Sequence, residues 1–435
     1  MLSDNITYDK TDREGQFYAC IDLKSFYASV ECVDRGLDPF TTRLVVADPE
    51  RESGTICLAI TPAMKALGIK NRCRVFEIPK GISYITAPPR MQKYIDYAAK
   101  IYSVYLEYIA PEDIHVYSID EVFMDVTDYL PLYGLTAKEL AIKLMTAVFD
   151  QVGVRATCGI GTNLYLAKIA LDITAKHSPD FIGELDEEKY RETLWEHRPI
   201  TDFWRIGPGL ATKLAEHAIY TMGGITRVPE DYLYNWFGID AELLIDHAWG
   251  REPTTIRDIK NYKSKSNCLN SGQVLMRDYE FDEAEIIVRE MMDQLCLEMA
   301  SKELVTHSVT LHVGYSNTLH VESARGTASV ASLTNSNKVL VPAVVALYRR
   351  ITAKKSLVRR ITLTCNNVLP EKTASEQVNF FDAEEANKNR VLQDTLLEIK
   401  RKFGKNAILK GTSLEEAATG RERNRQIGGH KSGEE

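Results

Sequence analysis

The stretch YSIDEVFMDVT, residues 117–127, sets two adjacent carboxylates, Asp120 and Glu121, among apolar residues. Val116, Ile119, Val122, Phe123, Met124 and Val126 have the composition of a buried or half-buried strand. Like charges held beside a core repel each other and resist losing their water, so a fold that keeps them there needs a compensating cation. Successive strand residues point to opposite faces, so both acids reach one site only where the backbone turns. The short apolar runs HVYS and VFMDV around Ile-Asp-Glu predict a tight hairpin that displays them. A third acid, Asp22, ends the strand pattern FYACI, and a helical pattern follows from Lys24. An acid at the end of a central strand, facing an acidic hairpin, outlines a divalent-metal cage. Mg²⁺ prefers oxygen donors and few carboxylates, with substrate phosphates filling the remaining positions. Two such ions about 3.5–4 Å apart activate a nucleophilic oxygen and stabilise a leaving pyrophosphate. The competing reading is a solvated turn, and the flanking apolar strands weigh against it.

The chain has 435 residues, room for about three domains. Apolar content of 44% and charged content of 26% are those of an ordinary globular protein. The polar start, MLSDNITYDKTDREG, carries no secretory apolar core. The most apolar run, VLVPAVVALY at 339–348, contains a proline and falls well short of the roughly 18 residues that span a bilayer. The eight cysteines show no CxxC and no Cys/His metal spacing, which predicts reduced, packed thiols and a cytoplasmic protein. Net charge is −8, but its distribution decides more than its sum. Residues 256–365 carry 15 basic and 11 acidic residues, and 371–435 carry 12 of each, which leaves 1–255 at −12. An acidic front and a basic third quarter suit metal chemistry beside a grip for a polyanion.

Strand and helix patterns alternate irregularly through residue 183, which predicts an α+β layer. LVVADP (44–49) and RATCGIG (155–161) read as strands; 92–108, AKELAIKLMTAVFDQVG (137–153) and NLYLAKIALDITAK (163–176) read as helices. The glycines of GIGTN read as a tight strand-to-helix turn, since the GK[ST] ending of a phosphate loop is missing. Residues 184–250 read as mostly helical, and the polar, basic run after them reads as a linker. SVTLHVGY (308–315) and RRITLTCNNV (359–368) alternate as half-buried strands in a second α+β unit with helices at 281–302 and 339–354. Beyond 370 one helical stripe remains, Leu392, Leu396, Ile399 and Phe403, and the last fifteen residues read as disordered.

CIDLKSFYASVE (20–31), YSIDEVFMDVT (117–127) and GIGTNLYLAKIALDITAK (159–176) resemble, in order and spacing, the motifs of Y-family translesion DNA polymerases, most closely the UmuC-type branch. The resemblance spans roughly residues 17–370. It implies an α+β right-hand polymerase: palm over 1–25 and 92–183, fingers over 26–91, a helix-hairpin-helix-like thumb over 184–250, a linker over 251–263, a separate α+β little finger over 264–370, and a partly disordered tail over 371–435. Asp22, Asp120 and Glu121 match the family's metal-binding carboxylates, with the carbonyl of Leu23 completing the set for two Mg²⁺ ions. Tyr27 matches the ring that excludes a 2′-hydroxyl, and Phe26 is its neighbour in the nucleotide pocket. Lys65 and Lys176 match triphosphate-binding lysines. The family often has a tyrosine where Pro62 stands, which removes one phosphate contact; Arg72 and Arg74 are nearby substitutes.

The turn in RIGPGLATKLAEH puts Gly207 and Gly209 at a helix N-terminus suited to a DNA phosphate. Lys263, Lys265, Arg359 and Arg360 are candidate DNA-backbone contacts, with affinity falling as salt rises. Gln377, Phe380 and Phe381 in EQVNFFDAEE are similar to the peptide by which bacterial polymerases bind the sliding clamp. The implied function is template-directed extension of primers past damaged bases from dNTPs, by a monomer bound to primer-template DNA. A catalytically weak DNA- and clamp-binding accessory is the alternative. A nucleotidyl cyclase, whose palm also pairs acids, is disfavoured by the basic second unit and the absence of a GGDEF-like loop.

Overall fold

A computed structural model describes residues 15–51, 54–264, 267–318, 320–373 and 383–433. The chain divides into two compact units, Met1–Tyr262 and Lys263–Glu435.

The first unit contains strands β1 (Tyr18–Leu23), β2 (Leu44–Val46), β3 (Ala59–Ile60), β4 (Ile85–Ala87), β5 (Ile114–Val116), β6 (Glu121–Asp125), β7 (Ala156–Gly161) and β8 (Ile182–Leu185). Five of them form a sheet in the order β5-β6-β1-β7-β8, with β1 at its centre. β1 runs antiparallel to β6 and β7, and the predicted hairpin is the β5–β6 pair. On one face Tyr18, Cys20 and Phe123 pack against Leu164, Ala167 and Leu171. Gly159 and Gly161 make that approach possible. A Cβ at Gly159 would meet the Ala167 carbonyl at 2.1 Å, and one at Gly161 would meet the Ala167 nitrogen at 2.2 Å. These glycines are therefore strand residues that admit a helix, and the turn lies beyond them, where Asn163 caps Leu164–Ile169 by accepting from the Leu166 amide at 2.8 Å. This corrects their reading as turn residues. The helix continues as a π-helical turn, Ala170–Thr174.

β2, β3 and β4 form a small separate sheet around Val45, Cys57, Ile60 and Met64. A helical cluster built on Tyr190, Phe203, Leu214, Met222 and Leu233 follows. The stretch read as a linker is not all loop. Ile256–Asn261 is a helix with a Thr255/Asp258 capping box, and its Ile256 is buried against the large sheet's core. An isolated six-residue helix is marginal in water, so this tertiary burial is what makes it form.

In the second unit β9 (Leu269–Tyr279), β10 (Leu304–Tyr315), β11 (Ala324–Thr334) and β12 (Val358–Asn366) form an antiparallel sheet ordered β11-β10-β12-β9. Helices Phe281–Ser301 and Asn337–Ile351 cover one face through Ile287, Met291, Leu295, Val344 and Leu347. The tail differs from its sequence reading. Helix Ala383–Phe403 buries Asn389 and Gln393, whereas Leu392 and Phe403 of the expected apolar stripe are 54% and 66% exposed. Gln393 donates to the Asn335 carbonyl at 3.0 Å, so polar contacts orient this helix. The described part of the last fifteen residues forms a short helix and a two-stranded hairpin. Glu290 anchors the segment just before them by accepting from the amides of Thr419 (2.8 Å) and Gly420 (3.0 Å). No described helix is long and apolar enough to cross a membrane.

Candidate active site

The backbone register brings the three acids together. Asp22 lies opposite Glu121 in the β1–β6 ladder. The Leu23 amide donates to the Asp120 carbonyl at 2.9 Å, which locks the hairpin turn onto the end of β1. The amides of Tyr117 and Ser118 both donate to the Glu121 carbonyl at 3.0 Å and close the turn. Ser118 Oγ donates to Asp120 Oδ1 at 2.7 Å. From the helical cluster, Trp204 Nε1 donates to the Tyr117 hydroxyl at 3.1 Å and braces the hairpin.

The cation demanded by the acid pair is Lys168, which the sequence analysis did not assign to the site. Its Nζ lies 2.8 Å from Glu121 Oε1 and 3.1 Å from Asp172, and it is 7% exposed. Cys20 Sγ donates to the same Glu121 oxygen at 3.3 Å. Burial alone would lower the Lys168 pKa, but Asp172, Cys20 and Glu121 reverse that and hold the ammonium charged. The signal was present in AKIALD: Asp172 lies four residues after Lys168, on one helix face. Glycines 159 and 161 make the pairing possible by letting that helix approach the sheet.

Neither Asp22 nor Asp120 has an ion pair among the described residues. Burial, then Asp120 and Glu121, raise the Asp22 carboxyl to about 7. No three carboxylate, imidazole or thiol groups among the described residues close into a ready-made cage. The donor set nonetheless fits hard divalent cations: all-oxygen, with two unpaired acids close enough to perturb each other. Because the folded-state pKa of Asp22 lies above its ordinary value of 3.8, its contribution favours folding at acidic pH and is lost as pH rises through about 7. The metal-free protein is therefore expected to lose thermal stability from pH 5.5 to 8, with Asp22→Asn flattening that slope. An Asp22→Asn variant with the wild-type slope would refute the assignment.

Three lysines stand around the outer side of Asp22. Lys24 lies in the turn that follows β1, and its Nζ sits 3.9 Å from the Phe181 ring centroid. Burial, then Lys65, lower the Lys24 pKa; burial also lowers that of Lys65, with Lys176 adding to it. Lys65 ends the helix Pro62–Lys65, whose first residue is Pro62; Lys176 is exposed, and Lys65 is open to solvent on one side while the protein around it strips part of its water. Lys176 has only a distant carboxylate partner, Asp172 at 3.9 Å, and Lys24 and Lys65 have none among the described residues. Lys24 is a further candidate that sequence reasoning missed, because nothing local shows that the turn after β1 brings it near Asp22, Lys65 and Lys176.

Tyr27 is half-buried on helix Phe26–Asp34, and its ring stacks on Tyr94 at 4.5 Å and 18°. Burial and the nearby Asp120 raise its hydroxyl pKa, which places it beside the acids. Phe26 is buried, 5.7 Å from Tyr27. Gly207 caps helix Pro208–Glu216 and Gly209 lies in its first turn; both are exposed, with open space where a Cβ would be. In the second unit Arg360 is exposed, whereas Arg359 is paired with Asp278 at 3.5 Å. Lys263 is exposed. Lys265, Gln377, Phe380 and Phe381 lie outside the described residues.

Three acids at one sheet end, with Tyr27 and a group of lysines near them, make up the candidate active site. Models of the impB/mucB/samB family match residues 21–172, and that family's C-terminal domain matches 270–380. "DNA polymerase IV 2" of Bacillus subtilis (strain 168) is 30% identical over 415 residues, covering 94% of this chain and 97% of that protein. "Putative UV-damage repair protein UvrX" of the same organism is 29% identical over 415 residues, covering 95% and 97%. A solved chimeric Y-family DNA polymerase, of Dbh and Dpo4 segments, superposes with a TM-score of 0.64 at 20% identity over 81% of this chain and 99% of that one. The chain belongs to the impB/mucB/samB family, the UmuC-type branch of the Y-family translesion DNA polymerases. Its fold is the right-hand α+β polymerase fold.

Proposed function

We propose that this protein binds primer-template DNA as a monomer and adds deoxynucleotides opposite damaged bases, with Asp22, Asp120, Glu121 and the Leu23 carbonyl holding two Mg²⁺ ions. The observation that carries this reading is the backbone pairing of Asp22 with Glu121, which puts three acids at one sheet end beside lysines that lack close carboxylate partners. When bound, the ions would activate the primer 3′-hydroxyl and neutralise the departing pyrophosphate. Lys24, Lys65 and Lys176 receive the triphosphate, whose charge offsets a cluster of cations that otherwise repel one another. Tyr27 lies under the sugar as the gate against a 2′-hydroxyl. Lys168 holds Glu121 in place throughout. Gly207, Gly209, Lys263, Lys265, Arg359 and Arg360 contact the DNA backbone. Of the two arginines, Arg359 gives the weaker grip because Asp278 competes for it.

Primer extension on an undamaged and a lesion-bearing template, with Mg²⁺ and dNTPs, tests the reading. Extension across the lesion is the expected result. Primer-template binding without extension would favour the accessory-protein alternative. Gln377, Phe380 and Phe381 are proposed to engage the sliding clamp. Alanine at both Phe380 and Phe381 should leave unassisted synthesis intact and abolish stimulation by added clamp; stimulation that persists rules the peptide out.

A further inference from the structure

Behind the Tyr27 ring lies a buried ionic network with no part in metal or phosphate binding. Tyr94, in helix Met91–Leu106, is fully buried and stacks on Tyr27. Its hydroxyl donates to Glu31 Oε1 at 2.7 Å. Glu31 lies one helical turn beyond Tyr27 on the same helix, and its side chain is wholly buried. Arg90 clamps it with two bonds, Nε to Oε1 at 2.9 Å and an Nη to Oε2 at 2.6 Å. Arg35 also pairs with Glu31, and Arg90 reaches Asp34 at 2.8 Å.

A buried ion pair of this kind is a poor way to gain stability, since well-packed apolar side chains do as well or better. What a charge-assisted, two-pronged clamp supplies is position. Burial pushes the Glu31 carboxyl up, yet bonds from Arg90, Tyr94 and Arg35 hold it below its usual range, so it stays ionised and keeps accepting from the tyrosine. The Tyr94 ring is thereby fixed at its hydroxyl end, and its face sets where the Tyr27 ring rests.

We propose that Glu31 and Arg90 are positioning residues for sugar selection: their ion pair locks Tyr94, and Tyr94 holds the Tyr27 ring against the space a 2′-hydroxyl would occupy. The inference rests on the reading of Tyr27 as the gate. A loosened gate admits ribonucleotides while deoxynucleotides, which never touch that limit, are little affected. A network that only held the fold together would lower both substrates alike.

The readout is the ratio of kcat/KM for a ribonucleotide to that for the matching deoxynucleotide, in the full-length protein. Tyr94→Phe keeps the stacked ring and removes one hydroxyl. It is expected to raise the ratio several-fold, and Glu31→Gln about tenfold, the scale of losing one or two buried hydrogen bonds. Arg90→Lys should lie closer to wild type than Arg90→Met. If Glu31→Gln fails to fold, Tyr94→Phe carries the test, because it removes no packing atoms but the hydroxyl. Tyr27→Ala tests the gate separately, with a larger rise expected. A relaxed Tyr27→Ala with an unchanged ratio in Tyr94→Phe and Glu31→Gln overturns this inference and leaves the gate standing. An unchanged ratio in Tyr27→Ala overturns both.

Discussion

Replacing Asp120 with alanine is expected to reduce primer extension by at least about three orders of magnitude while leaving primer-template affinity within about twofold. The geometry separates the two effects. Asp120 sits in the β5–β6 turn, and its carboxylate accepts only the Ser118 hydroxyl among the bonds seen. Truncating it opens no cavity in the sheet, because the turn is closed by backbone bonds from Tyr117, Ser118 and Leu23. The loss falls on the unpaired carboxylate that, after burial, does most to raise the Asp22 pKa. The variant's Asp22 should therefore titrate lower, and its stability should vary less with pH. Single-turnover extension and fluorescence anisotropy on the same primer-template measure the two quantities. Extension within about tenfold of wild type would remove Asp120 from the catalytic set.

The second large effect is on stability. Lys168→Met keeps most of the side chain's volume and removes the ammonium that neutralises Glu121 and Asp172. Breaking a buried ion pair from one side leaves an uncompensated charge and costs about 3–5 kcal/mol. In a unit of this size each kcal/mol lowers the unfolding midpoint by about 2–4 °C, so a fall of roughly 6–20 °C is expected near pH 8. A divalent cation should narrow the gap, since it supplies the missing positive charge. Thermal unfolding of wild type and variant at pH 8, with and without Mg²⁺, makes the measurement. A midpoint within about 2 °C of wild type under both conditions would show that Lys168 is not the compensating charge.

The acids and the lysine answer different kinds of question. Asp22, Asp120 and Glu121 were legible because a carboxylate beside an apolar strand is an electrostatic anomaly, and local sequence is enough to expose it. Lys65 and Lys176 came from motif resemblance. Lys168 and Lys24 were visible as residues but not as site members, because what recruits them is the approach of a helix to the sheet and the turn that follows β1. The Glu31–Arg90–Tyr94 network joins helices that are nearly sixty residues apart in the chain. No spacing rule reaches that far.

The same division runs through the fold. Periodicity announced β1, the β5–β6 hairpin and β7 of the large sheet, β10 and β12 of the second, the helix Ala137–Val152 and the α+β class, but not β8, β9 or β11. It missed the helix inside the linker segment before Tyr262 and read the last residues as disordered, since both are short, polar and stable only through what they pack on or bond to. The stripe Leu392, Leu396, Ile399 and Phe403 marked the helix Ala383–Phe403, but Gln393 and Asn389 decide which face is buried. Sequence alone determined which residues are charged, which segments can hide from water, and hence that an acidic hairpin had to be stabilised by something positive. Tertiary structure alone decided that the positive group is Lys168, because charge compensation depends on distance in space, and two glycines without side chains are what bring that distance down.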